Sequence, residues 1–191
     1  MKRTIPLLAV LLAACAGGPA PPAWQASARF SLDAFQQAWL RGETRAADIE
    51  FARARAELAS TGNPALVARA ELIRCAVRAA ALEFDDCPAF EKLRADAGPE
   101  EVAYADFLAG KGSRSEGEDA VSKLVSLGVR FKGGKATPEG IAQAVEISSS
   151  QGWRRPLLAW LGVQERRAEA AGDRDALERI RRRIAIVSGK S

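Results

Sequence analysis

The chain has 191 residues, 28 basic and 24 acidic, for a formal charge of +4, and no histidine at all. That absence excludes Ser-His triads and imidazole metal sites and removes the commonest general base. The near balance of charge argues against a nucleic-acid partner.

The first residues read MKRTIPLLAVLLAACAGGPAPPAW. Lys2 and Arg3 supply a positive start, Ile5 to Leu12 an apolar run, and Ala13 and Ala14 small residues, which is the layout of an export signal over residues 1–14. The run is too short to span a bilayer, for which about 20 residues are needed. Leu12-Ala13-Ala14-Cys15 resembles the lipobox of bacterial lipoproteins. The resemblance implies that Cys15 is the first mature residue, with a diacylglycerol on its sulfur and a third acyl chain on its amine, and that the protein is anchored to the membrane. In that family an aspartate after the cysteine favours inner-membrane retention; Ala16 here implies the outer membrane, facing the periplasm. Setting aside Lys2 and Arg3 lowers the formal charge from +4 to +2, so little basic excess remains.

Residues 15–30 are expected to be the acylated cysteine and a Pro/Gly-rich tether, and residues 31–191 one helical domain. Alanine, leucine, glutamate and arginine dominate and no stretch alternates strictly, so the fold class is all-α, with about eight helices packed as antiparallel α-hairpins. The first is placed from Phe30 or Ser31 to Gly42, with Ser31 as N-cap and Leu32, Phe35 and Trp39 on one face. The second runs from Thr44 to Ser60, with a stripe of Ala47, Phe51, Ala54 and Leu58. Asn63-Pro64 starts the third, expected to reach Leu82. It carries Leu66, Ala70, Ile73 and Val77 on one side and Leu72, Cys75, Ala79 and Leu82 on the other, so it is read as central.

Cys75 and Cys87 form the remaining even pair, which in an exported protein reads as a disulfide. Continuous helix between them would separate the sulfurs' Cα atoms by roughly 18 Å, whereas a disulfide needs less than about 7 Å. The chain must therefore break near Leu82 to Asp85 and double back, with Asp86-Cys87-Pro88 as the reversal and an acidic residue capping the next helix. That helix is placed over residues 88–97, with Phe90 and Leu93 inward, and a fifth begins at Gly98-Pro99 and carries Val102, Ala105 and Leu108. After the polar loop GKGSRSEGE, a sixth helix is expected from Glu118 to Gly128, with VRFKGGKATPEG following as irregular chain. Thr137-Pro138 starts the seventh helix. Trp153 to Pro156 starts the eighth, and Gly172-Asp173 the last, whose stripe is Ala176, Leu177, Ile180, Ile184 and Val187. The stretch AWLGVQERRAEAAGDRDALERI resembles a tetratricopeptide-type hairpin through Trp160, Gly162, Gly172, Asp173 and Ala176, though no fixed repeat period runs through the chain.

Three groups of residues bear on function. Glu83, Asp85 and Asp86 could supply paired carboxylates for a cell-wall hydrolase or glycan-binding accessory, against the simpler reading of a solvated turn. The Glu-Ser pair and Gly-Leu-Met-Gln type motif of helical lytic transglycosylases are absent, and Gly133-Gly134-Lys135 lacks the framing of a phosphate loop. Trp153, Arg154, Arg155 and Trp160 could form an exposed partner-binding patch, against the simpler reading of core packing between hairpins. Arg166-Arg167 and the run from Arg179 through Arg182 and Arg183 are interleaved with acids. Pairing explains most of them, and Arg179, Arg182 and Arg183 could touch anionic lipid. The sequence therefore reads as a non-catalytic, lipid-anchored helical protein that binds a protein or peptide partner, with no cofactor and no metal.

Overall fold

A computed structural model describes residues 22–113 and 117–190; the export signal and Cys15 lie outside them. All regular structure among the described residues is helical: α1 Ala23–Arg41, α2 Thr44–Ala59, α3 Pro64–Ala80, α4 Pro88–Glu91, a 3-10 turn over Arg94–Asp96, α5 Pro99–Leu108, α6 Ala120–Lys132, α7 Pro138–Ser150, α8 Arg154–Ala171 and α9 Arg174–Ser188. The all-α expectation holds.

Local chemistry sets many of the boundaries. Asn63 accepts from the Ala65 amide, Asp119 from Ser122, Thr137 from Gly140 and Asp173 from Ala176, each satisfying an amide that the first turn leaves without a helical partner. Proline stands at the start of α3, α5 and α7, where its missing N–H costs nothing. The α8–α9 turn closes on Gly172 at φ 67°, with the Asp173 amide donating back to the Ala168 carbonyl.

α3 is central, as its two apolar sides require. Val67, Ala70 and Val77 join α1 and α2 in one buried cluster with Phe35, Phe51 and Leu58. Ala68, Leu72, Cys75, Ala76 and Ala79 belong to a second cluster with α5, α6, α7 and α8. α6 lies against α3 so closely that a Cβ on Gly128 would stand 2.2 Å from the Ala79 carbonyl oxygen. Gly128 is therefore a packing glycine inside the helix and not the terminator expected from the sequence. α6 continues through Val129 and Phe131 to Lys132, and Phe131 meets Trp160 edge-on at 5.7 Å between ring centroids.

Two other boundaries differ from the sequence reading by more than two residues. α1 starts at Ala23, and Ser31, expected as its N-cap, lies mid-helix on the buried face with Ala28, Phe35 and Ala38. After Pro22 nothing in AWQASARF breaks a helix, and the spacing of Ala28, Ser31 and Phe35 continues the apolar stripe backwards. The fourth helix is shorter than expected, stopping at Glu91 before the separate 3-10 turn.

The reversal demanded by the cysteine spacing is present. Leu82 and Cys87 take left-handed backbone conformations, at φ 60° and 47°. The Cys75 and Cys87 Cα atoms stand 5.9 Å apart, joined by a disulfide. Asp85, and not Asp86, organises the turn, its Oδ1 accepting the Cys87 amide at 3.0 Å, while α4 has no side-chain cap.

Candidate functional site

Trp153, Arg154, Arg155 and Trp160 do not form an exposed patch. Trp153 and Trp160 are buried in the larger cluster. The Trp153 indole N–H donates to Gln37 Oε1 at 3.3 Å and that of Trp160 to the Ala80 carbonyl at 3.1 Å. Arg155 lies over the Trp39 ring at 4.0 Å. Its guanidinium donates to the Trp39 carbonyl at 2.9 Å, Glu83 Oε1 at 3.2 Å and Thr44 Oγ1 at 2.6 Å. One side chain at the start of α8 thus ties the α1–α2 turn to the end of α3. Of the four residues only Arg154 is exposed, beside Gly42.

The carboxylate cluster is also engaged. Glu83 lies between Arg155 and Arg78, whose nearer guanidinium nitrogen is 3.9 Å away, and Asp85 Oδ2 is 3.3 Å from Arg78. Asp85 and Asp86 border a cavity of about 550 Å³ with Arg94, Lys111 and Lys132 on its other sides. Two further carboxylates in it, Glu91 and Asp106, are held by Arg94 at 2.9 and 3.0 Å, and those hydrogen bonds raise the Arg94 guanidinium above its ordinary value. An acid paired to a base is poorly placed to protonate a leaving group, and of the carboxylates bordering this cavity only Asp86 forms no ion pair among the described residues. Asp85 also stands with Cys75 and Cys87 in a group of ligand-type atoms within 4.8 Å of one another. Their sulfurs bond each other, so they are not the free thiolates that a metal takes.

The C-terminal arginines divide into two sets. Arg181 pairs with Glu165 at 2.8 Å and with Glu169, and the Glu165 hydrogen bond raises its guanidinium above the ordinary value. Arg182 is 3.7 Å from Glu178. Arg179 and Arg183, one turn apart on α9, instead line a groove of about 540 Å³ with Arg167 of α8, over a floor that includes Ala168, Ile180 and Ile141. Arg182, grouped with them on the sequence, is not on that groove. A second groove of about 350 Å³ adjoins it, sharing Ile141 and Arg167 and adding Arg166, Phe131 and Val163. The groove needs α7, α8 and α9 together, and the only sequence signal for it was the arginine run that α9 splits between its faces.

Among the described residues no helix is long and apolar enough to cross a membrane. No known protein family, no curated protein sequence and no solved structure matches this chain.

Proposed function

We propose that this protein is a membrane-anchored lipoprotein whose helical domain binds a protein or peptide partner at the periplasmic membrane surface, in an assembly, chaperone or scaffold role. The order Leu12-Ala13-Ala14-Cys15 supports the anchor. The observation that carries the binding role is the concave groove between α7, α8 and α9, apolar in its floor and rimmed by arginines. Chemistry has little support: there is no histidine, and most carboxylates around the cavity beside the disulfide are engaged by arginine.

Cross-linking in intact cells, comparing the natural chain with Cys15→Ala, tests the proposal. A specific protein captured by the anchored form and diminished with Cys15→Ala is the expected result. Recovery of peptidoglycan with no protein partner would overturn it in favour of a cell-wall accessory, and Asp86→Asn would then be the variant to assay.

A further inference from the structure

On the last two helices Arg155, Arg181 and Arg182 are paired within the chain, and three of the arginines that are not, Arg167, Arg179 and Arg183, line one groove. Arg179 and Arg183 form no ion pair or hydrogen bond among the described residues. Arg167 acts on Glu139 only through space, Glu139 being lowered first by its own backbone amide and the Thr137 hydroxyl. The one carboxylate lining the groove, Asp173, is turned to the Ala176 amide as the N-cap of α9, at 2.9 Å. Three guanidinium groups therefore line a cavity with an apolar floor against a single carboxylate, Asp173, which already caps α9.

We infer that this groove docks an acidic amphipathic segment of a partner protein, its apolar side chains entering over Ala168, Ile180 and Ile141 and its carboxylates meeting Arg167, Arg179 and Arg183. The inference rests on the reading of the protein as a binding module and names the site and the chemistry of the partner. Charge complementarity selects an acidic occupant. Arginine's planar fork pairs with carboxylates two bonds at a time, and residues one turn apart on a helix stand about 6 Å apart, close to the repeat of carboxylates along one face of a peptide. The concave form selects a peptide over a bilayer. A membrane surface meets protruding cations, whereas a cavity between three helices admits side chains. α9 has no fully buried residue and forms one wall, so apolar cover over Ile180 would also complete its packing.

The test uses the full chain in nonionic detergent and a fluorescent 15-residue peptide with leucines on one helical face and glutamates on the other, followed by anisotropy. The glutamate peptide is expected to bind, and its glutamine counterpart to bind roughly tenfold more weakly or worse, with affinity falling as salt rises. Arg179→Glu with Arg183→Glu should weaken the glutamate peptide by roughly tenfold or more, while Arg182→Glu, off the groove, leaves it unchanged. Arg179→Gln with Arg183→Gln serves if circular dichroism shows that charge reversal unwinds α9. Equal binding of the two peptides, or equal loss with Arg182→Glu, overturns the inference. So does an absence of peptide binding with glycerol phosphate shifting the Arg179 and Arg183 side-chain NMR signals instead, which would assign the arginines to a lipid headgroup. In cells, a Cys15-dependent partner that still cross-links to the Arg179→Glu, Arg183→Glu chain at the natural level sinks the groove but leaves the binding role. A natural chain that captures no protein at all sinks the binding role itself.

Discussion

Arg155 ties the start of α8 to the α1–α2 turn and to the chain just after α3. Three acceptors and a ring face are matched to one planar guanidinium whose side chain is 21% exposed. Lysine offers the same charge but neither the fork nor the stacking plane. Arg155→Lys is expected to lose about 1–3 kcal/mol of stability, read as a lowered urea midpoint with an unchanged slope, and Arg155→Ala at least as much. A Lys variant as stable as the natural chain would show that charge alone does the tying. This role was not legible in the sequence, because the partners Trp39 and Gln37 lie 116 residues away from Arg155 and Trp153. Trp-Arg-Arg beside a helix start has the same local appearance whether it faces solvent or another helix.

Among the helices, what the sequence revealed was what local chemistry decides. Asn63-Pro64, Thr137-Pro138 and Asp173 announce their helices because the cap and the fixed proline φ are properties of adjacent residues. The Ala47, Phe51, Ala54, Leu58 stripe is entirely buried, as its periodicity requires. The end of α6 is not legible in the sequence, because glycine terminates helices by its backbone and lines helix contacts by its missing Cβ, and only the Ala79 carbonyl distinguishes the two at Gly128. The reversal after α3 was legible through covalent geometry: twelve residues of separation cannot be helix and bridge at once. That bridge leads to an expectation for the element. Reduction should lower stability by about 3 kcal/mol in the chain-entropy account, measured by urea unfolding of the natural chain with and without reductant. Coincident curves would mean that the turn from Leu82 to Cys87 holds itself.

For the whole molecule, the pH dependence from neutrality downward is carried by carboxylates. With no histidine in the sequence, no side chain of ordinary pKa titrates between about pH 5 and 8, and the melting temperature should be nearly flat there. The Arg69 hydrogen bond, aided by backbone amides, lowers Glu101 below the ordinary carboxylate value. Burial pushes Asp119 up, but hydrogen bonds from the Ser122 side chain and from backbone amides outweigh it and leave it lowered. Both groups favour the folded state when ionised. Their contributions are therefore full above the unfolded carboxylate value of about 4 and disappear as pH falls through the lowered folded values. Melting temperatures at pH 7, 5 and 3 should be similar for the first two and lower for the third, and Arg69→Ala should make the final drop shallower. An equal melting temperature at pH 3 would remove both pairings from the stability of the fold.

The last helix gives the molecule an uneven timetable of opening. α9 packs on α8 without one fully buried side chain, and Ile186 is 69% exposed, whereas α3 is enclosed by both clusters. Amides of α3 should exchange with solvent deuterium only when the whole domain unfolds, while those of α9 exchange through a detachment of that helix alone. Each such detachment removes one wall of the arginine groove, so the surface exists as an equilibrium between a formed and a released state, and whatever fills it would be recorded as slowed exchange along Arg174–Ser188.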